Sequence, residues 1–258
     1  MYRVVQRDRR RARGGPPGSV GSRAGARLSS GTRQGPAGEP PRARLRIAFA
    51  RGEAVKYISH LDLMRLFVRA CRRAGLPLAY SGGFSPNPSI SFALPIAVGV
   101  VGDEELLDLG FSNELTPDEL LVALRPQLPP GVDLLDCWDV PPGGKALTRS
   151  ICAADFRVLV ETHWSRNQIE DAICRLLAAP SLVVERTRGA KTRTFDLRPL
   201  ILTLELATIG DGEAALSMRL VAENSRAGRP DDVLASLGLG DAPAAYRRLK
   251  LHFLEPIR

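Results

Sequence analysis

Twice along this chain the pattern of apolar and polar residues runs strand, helix, a group of strands, helix, strand, roughly a β-α-β-β-α-β order. No other feature limits the possible folds as much. In the first pass, residues 45–50 alternate as a strand and residues 59–74 have helical spacing. Residues 76–80, 90–99 and 106–111 read as further strands. Thr116-Pro-Asp-Glu then opens a helix with a good cap and a proline at its first position, and residues 132–140 close the pass as a strand. The second pass has a strand at 156–161, a helix at 165–178 and a strand at 182–187. A hairpin at 200–208 and 214–221 turns around Gly210-Asp-Gly, and a short helix (229–237) and a last strand (246–253) follow. A Pro-Pro-Gly-Gly break at 141–144 separates the passes. This is the split βαβ order of ferredoxin-like folds. The expected fold is α+β, with two tandem ferredoxin-like units, 44–142 and 143–258, behind an N-terminal tail.

The tail, residues 1–43, holds ten Arg, eight Gly and five Pro, with almost no large apolar residue after Val5. Such a segment cannot bury enough surface to offset its ordering entropy, so it is expected to be disordered. It carries the whole net charge of +8, while residues 44–258 have 26 basic and 26 acidic side chains. Any basic patch on the folded part is therefore local. The tail reads either as a basic arm for RNA or an acidic partner, as an organellar targeting peptide, or as the product of an over-extended start codon in a GC-rich gene. No apolar run approaches the roughly 18 residues of a membrane helix, and no secretory h-region is present. The expected location is cytoplasmic, with no membrane partner.

Cys71, Cys137, Cys152 and Cys174 form no C-x-x-C pair. Cys71 and Cys174 fall on apolar helical stripes and read as small core residues. His and Cys are too sparse and scattered for a metal site, so neither a metal nor a cofactor is expected. The adjacent acids Glu104-Glu105 and Asp231-Asp232 would face opposite sides of a strand, so neither pair reads as an acid/base couple.

The densest stretch is Tyr57 to Pro95, YISHLDLMRLFVRACRRAGLPLAYSGGFSPNPSISFALP. Ser59 is placed to cap the helix, Asp62 meets the positive end of its dipole, and Gly75 ends it. Leu61, Met64, Phe67, Val68 and Cys71 form the expected buried stripe. Arg65, Arg69, Arg72 and Arg73 share one face. Residues 81–88 are turn chemistry at nearly every position.

These residues resemble the bacterial radical-SAM-linked protein family, a domain of unknown function found free-standing or fused behind a radical-SAM enzyme. The resemblance rests on Ser59-His60-Leu61-Asp62, Arg65, Arg69, the RRAGLP of 72–77, Tyr80-Ser81, Gly83-Phe84, Pro86, Pro88 and the ISFALP of 90–95. Lys191, the FDLRPLI of 195–201, Arg229-Pro230 and Val233-Leu234 extend it over residues 45–254. Asn87 and Ser89 depart from the family pattern, which has His and Lys there. The resemblance implies a radical-SAM partner. Because this chain lacks an iron–sulfur cysteine motif, the chemistry would lie in that partner.

Two basic regions are candidates for RNA or a ribosomal substrate, with no DNA specificity expected. In the first, the Arg65, Arg69, Arg72 and Arg73 face would hold phosphates, or is simply a solvated helix face. Phe84 would stack a base, or is tucked into the core, and Asn87 shares its turn. Ser59, His60 and Asp62 stand at the helix start. In the second region, Arg186, Arg188, Lys191, Arg193 and Arg198 would line a groove for a polyanion, or protect a sheet edge by charge. His163 and His252 are isolated. The expected function is a non-catalytic accessory protein that binds RNA or a ribonucleoprotein for a radical-SAM enzyme. The alternative is a metal-independent endoribonuclease similar to the CRISPR repeat-processing enzymes, with His60 and Tyr57 as catalytic candidates.

Overall fold

In the computed structural model, residues 39–82, 84–141, 144, 146–188, 191–223, 226–255 and 257 are described. Of the tail expected over 1–43, residues 1–38 lie outside them; Arg42 N–H donates to the Phe111 carbonyl at 2.9 Å and Ala43 opens the first strand. The order of elements is β1 (Ala43–Arg51), α1 (His60–Arg73), β2 (Ile90–Phe92), β3 (Val100–Phe111), α2 (Pro117–Leu124) and β4 (Val132–Asp139). Then come α3 (Leu147–Ser150), β5 (Ile151–Glu161), α4 (Arg166–Ala178), β6 (Val183–Arg188) and β7 (Lys191–Asp196). β8 (Ile201–Gly210), β9 (Glu213–Val221), α5 (Pro230–Leu237) and β10 (Ala244–Phe253) complete it.

Among the described residues, eight strands form one continuous sheet in the order β4-β1-β3-β10-β5-β9-β8, with β2 also on β3. The far edge of β3 is shared. Val100 to Gly102 pair in parallel with Tyr246 to Arg248 of β10, and Leu107 to Leu109 pair antiparallel with β2. Every other pairing in the sheet is antiparallel. The β6–β7 hairpin stands apart as a two-stranded sheet. Among the described residues no helix is long and apolar enough to cross a membrane.

Two apolar cores follow from this arrangement. In the first half, Leu45, Ile47 and Phe49 of β1 pack with Leu63, Phe67 and Cys71 of α1 and Leu120 and Leu124 of α2. Phe49, Phe67 and Phe92 meet edge to face at 5.1 to 5.9 Å, the geometry that ring quadrupoles favour. In the second half, Val158 and Val160 of β5 pack with Ile169 and Ile173 of α4 and Val233 and Leu237 of α5. Ala48 of β1 and Leu106 of β3 join this second core, so these two strands are buried on both faces. Burial on both faces is what turns their sequences into near-continuous apolar runs.

Several elements differ from the sequence reading, each for an identifiable reason. The buried stripe of α1 is Leu63, Phe67, Ala70 and Cys71, while Leu61 is exposed. Phe67 and Cys71 are common to both stripes, Leu63 and Ala70 join them, and Met64 and Val68 are only half-buried at the margin. Residues 76–80 make only isolated bridges, Leu78 to Phe111 and Tyr80 to Pro88. The strand expected at 90–99 stops at Phe92, because Pro95 has no N–H to continue the ladder. β3 begins six residues early, through Asp103-Glu104-Glu105, whose charges broke the apolar alternation in sequence. Asp103 is matched by Arg247 at 2.6 Å and Glu105 by Arg248 at 2.6 Å. Asp231 and Asp232 lie in the first turn of α5, not on a strand. Cys174 is exposed, unlike Cys71.

Candidate nucleic-acid interface

The start of α1 is built as its residue types require. Ser59 is extended, and its hydroxyl accepts from the Asp62 N–H at 3.1 Å. The same hydroxyl donates to Asp62 at 2.8 Å, and Arg65 donates to Asp62 at 3.0 Å. These contacts, the Ser59 hydroxyl first, hold the Asp62 carboxyl below the usual range. At the other end Gly75 takes a φ of +71°, where a side chain would be strained.

The four arginines of α1 are all exposed but not equivalent. Arg65 is partly neutralised by Asp62. Arg73 reaches the carbonyl of Gln127 and its side-chain oxygen, tying α1 to the turn after α2. Arg69 and Arg72 make no hydrogen bond or ion pair among the described residues, so their guanidinium groups are available to a ligand.

His60 packs against the aromatic cluster at the start of α1. Its ring packs edge-on against Phe92 at 5.0 Å, and its buried Nδ1 has no partner. Burial, then the charges of Arg248 and Arg51, push its pKa down, against the pull of Glu105. Among the described residues no carboxylate reaches the ring, so nothing orients it for proton transfer. Tyr57 is 73% exposed, with the Lys56 ammonium 5.2 Å from its ring centre.

Phe84 is fully exposed, not tucked into the core. Its turn is closed by local bonds. Ser81 N–H donates to the Asn87 carbonyl at 2.8 Å, Asn87 N–H to the Ser81 hydroxyl at 3.0 Å, and the Asn87 side-chain amide to the Ser85 carbonyl at 3.1 Å. Asn87 therefore holds the turn that presents Phe84.

In the second basic region much of the charge is spent on structure. Arg186 is ion-paired with Asp232, lies 4.6 Å from the centre of the Phe195 ring and donates to the Ala227 carbonyl. Arg198 donates to the carbonyls of Leu177 at the end of α4 and of Ile201, at 3.0 and 3.1 Å. Arg193, opposite Arg186 in the hairpin register, is exposed. The side chains of Arg188 and Lys191 lie outside the described residues.

Two groups of functional interest were missed in sequence. The first is a buried charged cluster beneath the Tyr57–His60 loop. The fully buried Arg51 donates to four carbonyls: Val55 at 3.3, Lys56 at 2.5, Ile58 at 2.7 and Ala97 at 3.1 Å. Beside it Arg248 forks onto Glu105 at 2.7 and 2.6 Å and donates to the carbonyls of Leu94 and Pro95. The second is on the sheet of the second half. Asp155 accepts a fork from Arg219 at 2.6 and 3.0 Å and bonds His252 Nε2 at 2.8 Å, so His252 is not isolated. Among the described residues no three His, Cys, Asp or Glu are placed to hold a metal ion.

Over residues 44–230 the sequence matches the family described as "Uncharacterized protein conserved in bacteria (DUF2344)". The chain belongs to this family. No curated protein matches it. Among solved structures it overlaps a chain of an H/ACA ribonucleoprotein bound to a substrate RNA containing 2′-deoxyuridine, at TM-score 0.43 and 10% identity, covering 80% of this chain and 47% of that one. It also overlaps a chain of a Cbf5-Nop10-Gar1 complex at TM-score 0.45 and 9% identity, covering 86% of this chain and 56% of that one. The chain thus spans about half the length of these structures. A likeness of this size says nothing about what this chain binds.

Proposed function

We propose that this protein binds RNA through the arginine face of α1 and presents it to a radical-SAM partner in the cytoplasm, without itself catalysing a reaction. One observation carries the RNA reading. Arg69 and Arg72 are exposed and have no hydrogen-bond or ion-pair partner among the described residues, on the same helix as Arg65 and Arg73, in a folded region whose net charge is zero. Exposed guanidinium groups along one helix face are suited to phosphate contact. The second basic region competes less well, because Arg186 and Arg198 already have partners. The partner enzyme rests on the family resemblance of the Tyr57 to Pro95 stretch alone. The packing of the His60 ring on Phe92, with Nδ1 buried, supports a structural role for it over a catalytic one.

The same reading includes the organisation of the chain as a tail (1–43) and two ferredoxin-like units in tandem, 44–142 and 143–258. What supports it is the spatial order in each half. Counted along the chain, the strands of each half lie fourth, first, third, second, all antiparallel, with the β6–β7 hairpin inserted in the second. The last strand of the second unit, β10, then joins the two by its parallel pairing with β3.

Titration of a fluorescent RNA at several salt concentrations tests the RNA reading. The Arg65→Ala/Arg69→Ala/Arg72→Ala variant should bind more weakly. Each lost phosphate contact should also flatten the slope of log affinity against log salt by about 0.7–0.9. Unchanged affinity and slope would overturn the assignment to α1.

A further inference from the structure

Two large aromatic rings stand in solvent on either side of α1 in the chain. Tyr57 precedes the helix and is 73% exposed, and Phe84 follows it in the next turn and is fully exposed. Exposing rings of this size forgoes the burial that usually places them inside. Neither is on a loose mount. The loop of Tyr57 is pinned by its flanking carbonyls, Lys56 and Ile58, onto the buried Arg51 guanidinium. Arg51 also holds the Ala97 carbonyl, and the N–H of Gly99 donates to the Lys56 carbonyl at 2.7 Å. Lys56 itself is braced by Glu53 at 2.7 Å. The turn of Phe84 is closed by the Ser81 and Asn87 bonds already described. Rings carried on hydrogen-bonded loops offer a flat ligand a face at lower ordering cost than rings on open loops.

The helix that separates them in the chain has 14 residues and therefore spans about 20 Å. It carries the cations Arg65, Arg69 and Arg72 on its exposed side. Cations that track a backbone, combined with aromatic platforms, are the equipment of single-strand binding. A paired base offers no free face to a protein ring, because its neighbours in the helix already occupy both faces. We infer that the α1 site takes single-stranded RNA, with unpaired bases stacked on Tyr57 and Phe84 and the intervening phosphates on the arginines. This rests on the RNA reading above and assigns Tyr57 a binding role, not a catalytic one.

The test measures binding of the full chain, by anisotropy, to a labelled unstructured RNA strand and to the same strand annealed to its complement. The single strand should bind more tightly than the duplex. Tyr57→Ala and Phe84→Ala should each weaken single-strand binding about 5- to 150-fold, which is the ~1–3 kcal/mol of base–aromatic stacking converted at 1.36 kcal/mol per tenfold. Both should leave the salt slope unchanged, since no charge is removed, and Tyr57→Phe should bind like the wild type. Equal affinity for both RNAs, with both alanine variants at wild-type strength, would overturn the single-strand inference and leave the arginine-face reading standing. Failure of both RNAs to bind would overturn both readings.

Discussion

Replacing Glu105 by Gln should destabilise this protein more than any other single polar substitution among the residues discussed. Glu105 is 2% exposed and receives both arms of the Arg248 fork, itself 4% exposed. The amide keeps the shape but removes the charge. Two buried guanidinium groups, Arg248 and Arg51, would then face each other with no anion between them. Burial pushes the Arg51 pKa down first; Glu105 opposes that shift and Arg248 adds to it, so the loss of Glu105 removes the one compensating charge. Breaking a buried pair from one side costs about 3–5 kcal/mol. At about 2–4 °C per kcal/mol for a domain of this size, the melting temperature should fall by roughly 6–20 °C. The paired substitution Glu105→Leu/Arg248→Met removes one buried guanidinium together with the carboxylate and should cost less than Glu105→Gln alone. Urea titration of the three proteins, followed by circular dichroism, measures the differences. A Glu105→Gln cost below about 1 kcal/mol, the range of exposed pairs, would refute the view that this cluster locks β10 beneath the Tyr57–His60 loop.

Two further outcomes follow. His60 has a folded pKa below its unfolded value of about 6.5, so the unfolded chain takes up the proton first as the pH falls. Its contribution to stability is complete above about pH 6.5 and is lost as the pH falls from there toward the folded pKa; His60→Phe should flatten the fall in melting temperature between pH 7.5 and 5, and an unchanged profile would contradict the assignment. Thr116 and Glu119 form a reciprocal capping box at the start of α2, and Thr116→Ala should cost about 1 kcal/mol in a urea titration.

Local chemistry was legible in the sequence, and contacts between distant residues were not. The Ser59 and Thr116 caps, the Gly75 terminus and the Gly210-Asp211-Gly212 turn each depend on a few adjacent residues. Asp211 and Gly212 both take positive φ, as a tight hairpin turn demands. Much of the order of strands and helices was readable for the same reason, but β7 and the short α3 were not, and residues 76–80 form no strand. Glu105 and Arg248 lie 143 positions apart, and only the pairing of β3 with β10 brings them together. Nothing near either residue marks it as buried. His252 looked isolated because its partner Asp155 lies on another strand. The arginine face was visible as spacing, but which members are free was not. That depends on Asp62 one turn back and on Gln127 beyond α2.

Ultraviolet crosslinking of bound RNA, followed by mass spectrometry of the modified peptides, tests the central claim most directly. Crosslinks should concentrate between Tyr57 and Asn87, with Tyr57 and Phe84 among the modified residues. Crosslinks confined to the β6–β7 hairpin, with none in that stretch, would contradict the account.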